Sequence, residues 1–265
     1  MKTSTPSISL RTLGIAAITL VGAPILRGQS AYTCDEGKPF TAQMIEHIVA
    51  RGPDGTESRV EFGGLRARDR EGRVYAELRT IRSAGPKKQT EPLGDSGIHF
   101  GHSNRSEFNS VSISDCHSGE DITAFPDLQV ARVTKNSNAS SWKRKDGASL
   151  FEFLTSGPRS PNVIFEDLGF REIEGLQTHG YRTTVLGTGD DGDASGVVKN
   201  ITEWWISDDL AEIILQVMTN LKGKSETTIM LTGIKREEPP ASLFEIPSGY
   251  KIDVHPDDKQ PRTQR

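Results

Sequence analysis

The sequence predicts a mainly β (α+β) fold: one strongly curved antiparallel sheet with few short helices. Three observations carry that expectation. The 265 residues include 26 Gly and 14 Pro, which cut the chain into short runs closed by turn residues. Many of those runs alternate apolar and polar side chains with the period of a half-buried strand. No strand–helix–strand alternation appears, which counts against a doubly wound parallel sheet. A long antiparallel sheet must close, curl or be covered, because an open edge invites aggregation. A curved sheet with a concave apolar face follows.

Residues 1–30 read as a secretory signal. Lys2 and Arg11 precede an apolar stretch from Leu13 to Leu26, and Gly28 and Ser30 supply small residues where a signal peptidase cuts. A spanning helix needs about 20 apolar residues, whereas this stretch is interrupted by Thr19 and Pro24 and closed by Arg27, so an uncleaved anchor is the weaker reading. A periplasmic or extracellular protein that is not integral to a membrane is expected. Lipidation of Cys34 is disfavoured by Tyr32 and Thr33, which stand where that processing wants small residues. The chain is 34% apolar and 26% charged, which suits soluble domains, and its net charge of -4 lacks the basic field that phosphate backbones attract. Nucleic acid is not an expected partner.

Only Cys34 and Cys116 are available for pairing, and an oxidising compartment favours one disulfide between them. Such a loop restricts the unfolded chain by roughly 4 kcal/mol. The competing reading joins Cys116 with Asp115, His117, His99 and His102 around a metal. His99-x-x-His102 has no standard zinc spacing and lies in a Gly/Ser/Asn-rich stretch, so no metal is expected.

The elements follow in order. Thr41–Arg51 alternates, Pro53-Asp54-Gly55 turns, and Ser58–Phe62 returns, which makes a hairpin. Asp69–Gly72 turns Gly63–Arg68 into Val74–Arg79, where Val74, Ala76 and Leu78 share one face and the other is expected to be wet. Ser83–Asn109 reads as a long loop. Val111–Ile113 and Ile122–Phe125 form a hairpin ended by Pro126-Asp127, and Val130–Asp146 reads as a polar connection. Ala148–Thr155 is a short helix or strand. Thr178–Leu186, Val197–Ile206, Glu212–Met218 and Thr227–Lys235 are four successive β-prone runs, stopped by Glu237-Glu238-Pro239-Pro240. With no repeat and no low-complexity linker, residues 31–254 read as one domain and 255–265 as a disordered tail.

Three groups of segments carry a resemblance. Glu166–Leu176 followed by Gly180-Tyr181-Arg182-Thr183-Thr184, then Glu203-Trp204-Trp205-Ile206-Ser207-Asp208-Asp209-Leu210, and finally Arg236-Glu237-Glu238-Pro239 with Leu243-Phe244-Glu245-Ile246-Pro247-Ser248-Gly249-Tyr250 resemble a family of exported, mostly uncharacterised acidobacterial proteins. That family is in turn distantly similar to the lipoprotein-carrier (LolA-like) half-barrel, in which a curved antiparallel sheet wraps an apolar cavity under a few helices. The resemblance implies a role in holding an acyl chain or another hydrophobic ligand in the cell envelope. It implies no catalytic residues and no cofactor.

Chemistry readable from the residues is sparse. Gly189-Asp190-Asp191-Gly192-Asp193 invites calcium but lacks the EF-hand spacing and its terminal Glu. There is no G-x-S-x-G elbow and no H-E-x-x-H helix. Asp115 with His117 could serve a distant serine, and Glu203 beside the two tryptophans could serve a glycosidase; the plainer reading of Glu203 is a strand whose Trp204 enters the core while Trp205 and Glu203 point outward. The leading expectation is a non-enzymatic exported protein with Trp204, Trp205, Ile213, Leu215 and Met230 as wall residues around a hydrophobic small molecule. The alternation of Ile213, Leu215 and Val217 against Ile214, Gln216 and Met218 permits either face. A structural or interaction module that contacts an envelope protein through residues 83–109 and 136–146 is the alternative, and an envelope hydrolase the third.

Overall fold

The computed structural model describes residues 38–84, 109–115, 117–135, 150–155, 160–188 and 195–255. The signal reading, Cys34, Cys116, His99, His102 and the Asp190–Asp193 loop lie outside the described residues, as does nearly all of the Ser83–Asn109 stretch.

Twelve strands make one open sheet. They are β1 (Phe40–Arg51), β2 (Glu57–Arg68), β3 (Val74–Ala84), β4 (Asn109–Asp115), β5 (Glu120–Phe125), β6 (Val130–Lys135), β7 (Val163–Ile173), β8 (Leu176–Leu186), β9 (Val198–Ser207), β10 (Glu212–Asn220), β11 (Ser225–Lys235) and β12 (Lys251–His255). A single six-residue helix, α1 (Leu150–Thr155), and two 3-10 turns complete the described structure. The order across the sheet is β12-β6-β5-β4-β3-β2-β1-β11-β10-β9-β8-β7. The mainly β, curved-sheet class read from the sequence is what the structure has.

Turn chemistry sets the hairpins. Gly55 and Gly72 take φ of 80° and 83° in the β1–β2 and β2–β3 turns, conformations open to glycine without a Cβ penalty. The helix-or-strand ambiguity at 148–155 resolves as α1. Leu150 and Phe151 donate their backbone N–H groups to the Asp208 carboxylate at 2.7 and 3.4 Å, which anchors the helix to the β9–β10 turn.

Four details depart from the sequence reading. Val130–Lys135, inside the expected polar connection, is strand β6, because Ala131 and Val133 sit against Ala124 and Ile122 of β5. β7, whose alternation is broken by Asp167, Gly169 and a bulge at that point, pairs with β8 along most of its length. The chain then ends its described part in β12, which runs parallel to β6, whereas every other pair is antiparallel. Finally, Val74, Tyr75 and Ala76 are all buried, so the start of β3 has no wet face.

The last point follows from how the sheet is covered. Residues directly paired across a ladder share a face, so the register traces each face strand by strand. From β8 to β1 the inner face is apolar: Phe40, Ala42, Met44, Ile214, Ile229 and Leu231 form one buried cluster with Leu176 and Leu210. From β2 to β6 the apolar side is the opposite one, where Ala67, Tyr75 and Ile113 pack under Phe244. Residues 236–250 cross that opposite side as a strap on the way from β11, in the middle of the sheet, to β12 at its edge. The two coverings meet where β2 ends and β3 begins, so Arg66–Arg68 and Val74–Ala76 are buried on both sides.

Curvature is visible in contacts that a flat sheet forbids. Neighbouring strands lie about 4.8 Å apart, so β8 and β11, three steps apart in the order, would be ~14 Å apart in a flat sheet. Yet the Gly233 N–H of β11 donates to the Glu174 carboxylate of the β7–β8 turn at 3.1 Å. Arg68 of β2 reaches the β9–β10 turn over the same number of steps. Both contacts close over the inner face, which is the concave one.

A candidate ligand trough on the concave face

The concave face is layered along the strand direction. Its closed end is a polar cross-link. Arg68, fully buried, donates to the carbonyl oxygens of Lys38 (3.2 Å), Ala211 (3.1 Å) and Leu210, and its guanidinium lies 5.2 Å from the Phe40 ring. Arg66 pairs with Glu212 at 3.0 Å with both side chains almost fully buried. Among the described residues the Nη1 of Arg66 has no partner. The next layer is hydrocarbon: Ile206, Ile214, Leu231 and Met44 are each no more than 2 or 3% exposed.

Above that layer runs a row of a different kind. Tyr181, Trp204, Gln216, Ile229, Glu46, Phe62 and Thr80 are successive partners across β8, β9, β10, β11, β1, β2 and β3. Tyr181 and Trp204 stack with centroids 4.6 Å apart. Gln216 is buried. Glu46 stands between Ile229 and Phe62 across the ladders, with Met44 and Ile48 on the same face of its own strand. Among the described residues no hydrogen bond or ion pair reaches its carboxylate. Burial alone pushes its pKa from 4.5 up to about 7, because no nearby charge or donor compensates the lost water. One step further out, Thr183, Thr202, Met218, Thr227, Ile48 and Val60 form a parallel row, of which all but Thr183 are only half-buried. Among the described residues the face is thus a trough, fully buried at the Arg66–Arg68 end and half-buried at the other, with one uncompensated acid set between apolar side chains.

The five wall residues named from the sequence do not share a wall. Trp204 and Ile213 face the trough side, in the cluster that α1 covers with Leu150 and Phe151. Trp205, Leu215 and Met230 form a continuous row on the convex side. There Trp205 is not the outward-pointing residue its place in the strand suggests. It is 7% exposed, lies against the backbone of Gly180, and carries the Arg171 guanidinium 3.7 Å above its ring. A register shift between Ile213 and Leu215 separates residues that simple alternation would place together. Glu46 and Gln216 were missed because an isolated acid in an alternating strand carries no sequence signal; the face it points to is set by its neighbours.

Asp115 and Glu203, named in the two catalytic readings, both sit in structural pairings. Asp115 accepts the backbone N–H groups of His117 (2.8 Å) and Ser118 (3.3 Å) in its own turn. Glu203 is held by Arg182 at 2.7 and 2.8 Å, with Glu166 on the same guanidinium at 2.7 Å. Asp167 and His179 meet at 2.8 Å, with the imidazole stacked between Phe151 and Phe170 at 3.5 and 4.2 Å. Among the described residues no group of three or more His, Cys, Asp or Glu is placed to hold a metal.

A second hollow lies under the strap, a cavity of about 180 Å³ between Tyr75, Ile113 and Ile122 of the sheet and Leu243, Ile246 and Tyr250 of the strap. It is well below the roughly 300–1,000 Å³ of typical small-molecule sites. Burial, with smaller contributions from Glu77 and Tyr250, pushes the Tyr75 hydroxyl up to about 12. The strap residues include the Leu243–Tyr250 segment singled out in the sequence, so that segment has a packing role.

No family model matches the chain, and no curated protein matches it, so the resemblance read from the C-terminal segments stands on those segments alone. Among solved structures the chain is similar to an uncharacterised conserved protein of Thermus thermophilus, at 11% identity over 87% of this chain and 97% of that one, with a TM-score of 0.34. It is similar to a chain of the MucA/MucB complex of Pseudomonas aeruginosa at 10% identity, over 83% of this chain and 59% of that one, with a TM-score of 0.37. It is also similar to a LolA superfamily protein of Nitrosomonas europaea at 10% identity, over 83% of this chain and 96% of that one, with a TM-score of 0.27.

Proposed function

We propose that this chain is an exported, non-enzymatic binding protein that holds a hydrophobic small molecule in the concave trough. The observation that carries the reading is the pair of rows just described. Ile48, Val60, Phe62, Met218 and Trp204 present half-buried apolar surface on the concave side of a strongly curved sheet, from which an apolar ligand would remove water. Asp115 and Glu203, the carboxylates named above for a hydrolase, are engaged by backbone N–H groups and by Arg182, which supports binding over those two catalytic readings. Among the described residues no helix is long and apolar enough to cross a membrane, and residues 1–30 suggest export to the envelope.

The test is native mass spectrometry of the protein purified from its own host, with lipid extraction alongside. Co-purification of a stoichiometric hydrophobic species that is lost in an Ile48→Lys variant supports the reading. Recovery of bare protein, together with no uptake of neutral amphiphiles in vitro, overturns it.

A second reading, an interaction module, is favoured by one observation. Edge strand β12 exposes Ile252 and Val254, at 54% and 62%, on the same side as the strap, and an unpaired edge accepts a partner strand. Whole-cell cross-linking from position 252 that captures no protein would reject it.

A further inference from the structure

From the trough and its one acid, we infer that the ligand is a cationic amphiphile: an apolar chain ending in a protonated amine that pairs with the Glu46 carboxylate. The inference rests on the binding reading above and adds the chemistry of the head group.

The argument is charge complementarity in a confined place. Glu46 faces Ile229 and Thr227 of β11, Phe62, Val60 and Gly64 of β2, and Met44 and Ile48 of its own strand. None of these carries a charge or donates to it. Across the concave face the next polar groups are Gln216 and Thr80, both neutral. Among the described residues the cations of that face, Arg66 and Arg68, belong to the closed end. They sit four and six positions from Phe62 along β2, ~13 Å or more away at strand rise, behind the hydrocarbon layer of Met44 and Leu231, and they are engaged by Glu212 and backbone carbonyls. His47 and Glu61 pair with each other on the convex side.

An anionic head group, such as a fatty-acid carboxylate or a phosphate, would meet a like charge at Glu46 with no cation among the described residues beside it to offset it. An ammonium would supply what the site lacks: a positive charge and up to three N–H donors for an acid that has lost most of its water. The half-buried Met218, Ile48 and Val60, which share their row with Thr202 and Thr227, would then contact the chain.

The experiment uses the full chain and three probes of equal length below their aggregation thresholds: dodecylamine, 1-dodecanol and dodecanoate, titrated by calorimetry at about pH 7.5, where the acid is ionised in part even before a cation arrives. Dodecylamine is expected to bind at least about tenfold more tightly than dodecanoate. In Glu46→Gln, circular dichroism should be unchanged, dodecylamine affinity should fall about tenfold or more, and dodecanol affinity should hold. In Glu46→Lys the preference should turn toward dodecanoate. Equal binding of amine and carboxylate, or an amine affinity untouched by Glu46→Gln, overturns the cationic head group while leaving the trough as a ligand site. Absence of binding by all three probes overturns the site itself.

Discussion

Replacing Glu46 by glutamine should stabilise the fold at neutral and alkaline pH, by an amount that builds as pH rises from about 4.5 to about 7 and vanishes below that window. Glutamine keeps the shape and the polar end of the protonated acid but never ionises. Burial holds the folded carboxyl near 7 against an ordinary value of 4.5, a difference that corresponds to about 3 kcal/mol between the two protonation states. The unfolded chain ionises Glu46 freely above about pH 4.5, whereas the folded chain resists until about pH 7. The acid's favourable contribution is therefore complete below the lower value and is lost as pH rises through the higher one. Allowing for water that reaches a half-buried side chain, Glu46→Gln should raise the unfolding free energy by about 1–3 kcal/mol at pH 8 and by close to zero at pH 4. Urea unfolding followed by tryptophan emission at both pH values measures this directly. A stabilisation of equal size at the two pH values, or none at pH 8, would show that Glu46 is solvated or paired and that the acid is not set in an apolar wall.

Three further outcomes test the rest of the architecture. Glu212→Gln should destabilise by roughly 3–5 kcal/mol, because it leaves the Arg66 cation buried against a neutral group, while Arg66→Met with Glu212→Leu should recover much of that; chemical unfolding of both variants decides it. Gly180→Ala would put a Cβ within 2.6 Å of the Trp205 ring, so the ring must shift, at a cost of about 1–3 kcal/mol and with a change in near-ultraviolet circular dichroism from that indole. Phe244→Ala should cost about 3–5 kcal/mol by removing the side chain that pins the strap on Tyr75 and Ala67, and amide exchange at residues 251–255 should quicken before exchange in β1 does.

Much of the strand order was legible because turns are chemical. Pro53-Asp54-Gly55, Asp69–Gly72, His117–Gly119 and the breaks between β8, β9, β10 and β11 are local signals, and each hairpin they predict is present. β6 and β12 were not legible for the opposite reason. Val130–Lys135 opens a long Ser/Asn/Lys-rich stretch and Lys251–His255 is five residues with two charges beside a histidine, so their alternation is too short to stand out; each becomes a strand by lying next to one already in place. β12 in particular is positioned by the strap, whose docking depends on Phe244 meeting residues far earlier in the chain, Ala67, Tyr75 and Ile113.

The site was illegible because alternation gives the spacing of a strand's two faces but not which one is inside. Here the answer changes within one sheet: the buried side is concave from β8 to β1 and reverses from β2 to β6, where the strap supplies the cover. Bulges then break the parity inside single strands, so Ile213 and Ile214 can both be buried while Leu215 turns outward. Only the full ladder shows that Trp204 belongs with Gln216 and Glu46, side chains on strands from opposite ends of the sequence, and that Trp205 belongs with Leu215 and Met230 behind them. The choice between the two rows as a binding surface then follows from access. The convex row is capped at Trp205 by Arg171 and by the Gly180 backbone, whereas the concave rows end in half-buried Ile48, Val60 and Met218 and enclose an acid whose lost water no described residue replaces. An apolar wall that needs no ligand has no use for such an acid; a wall that receives a charged head group does.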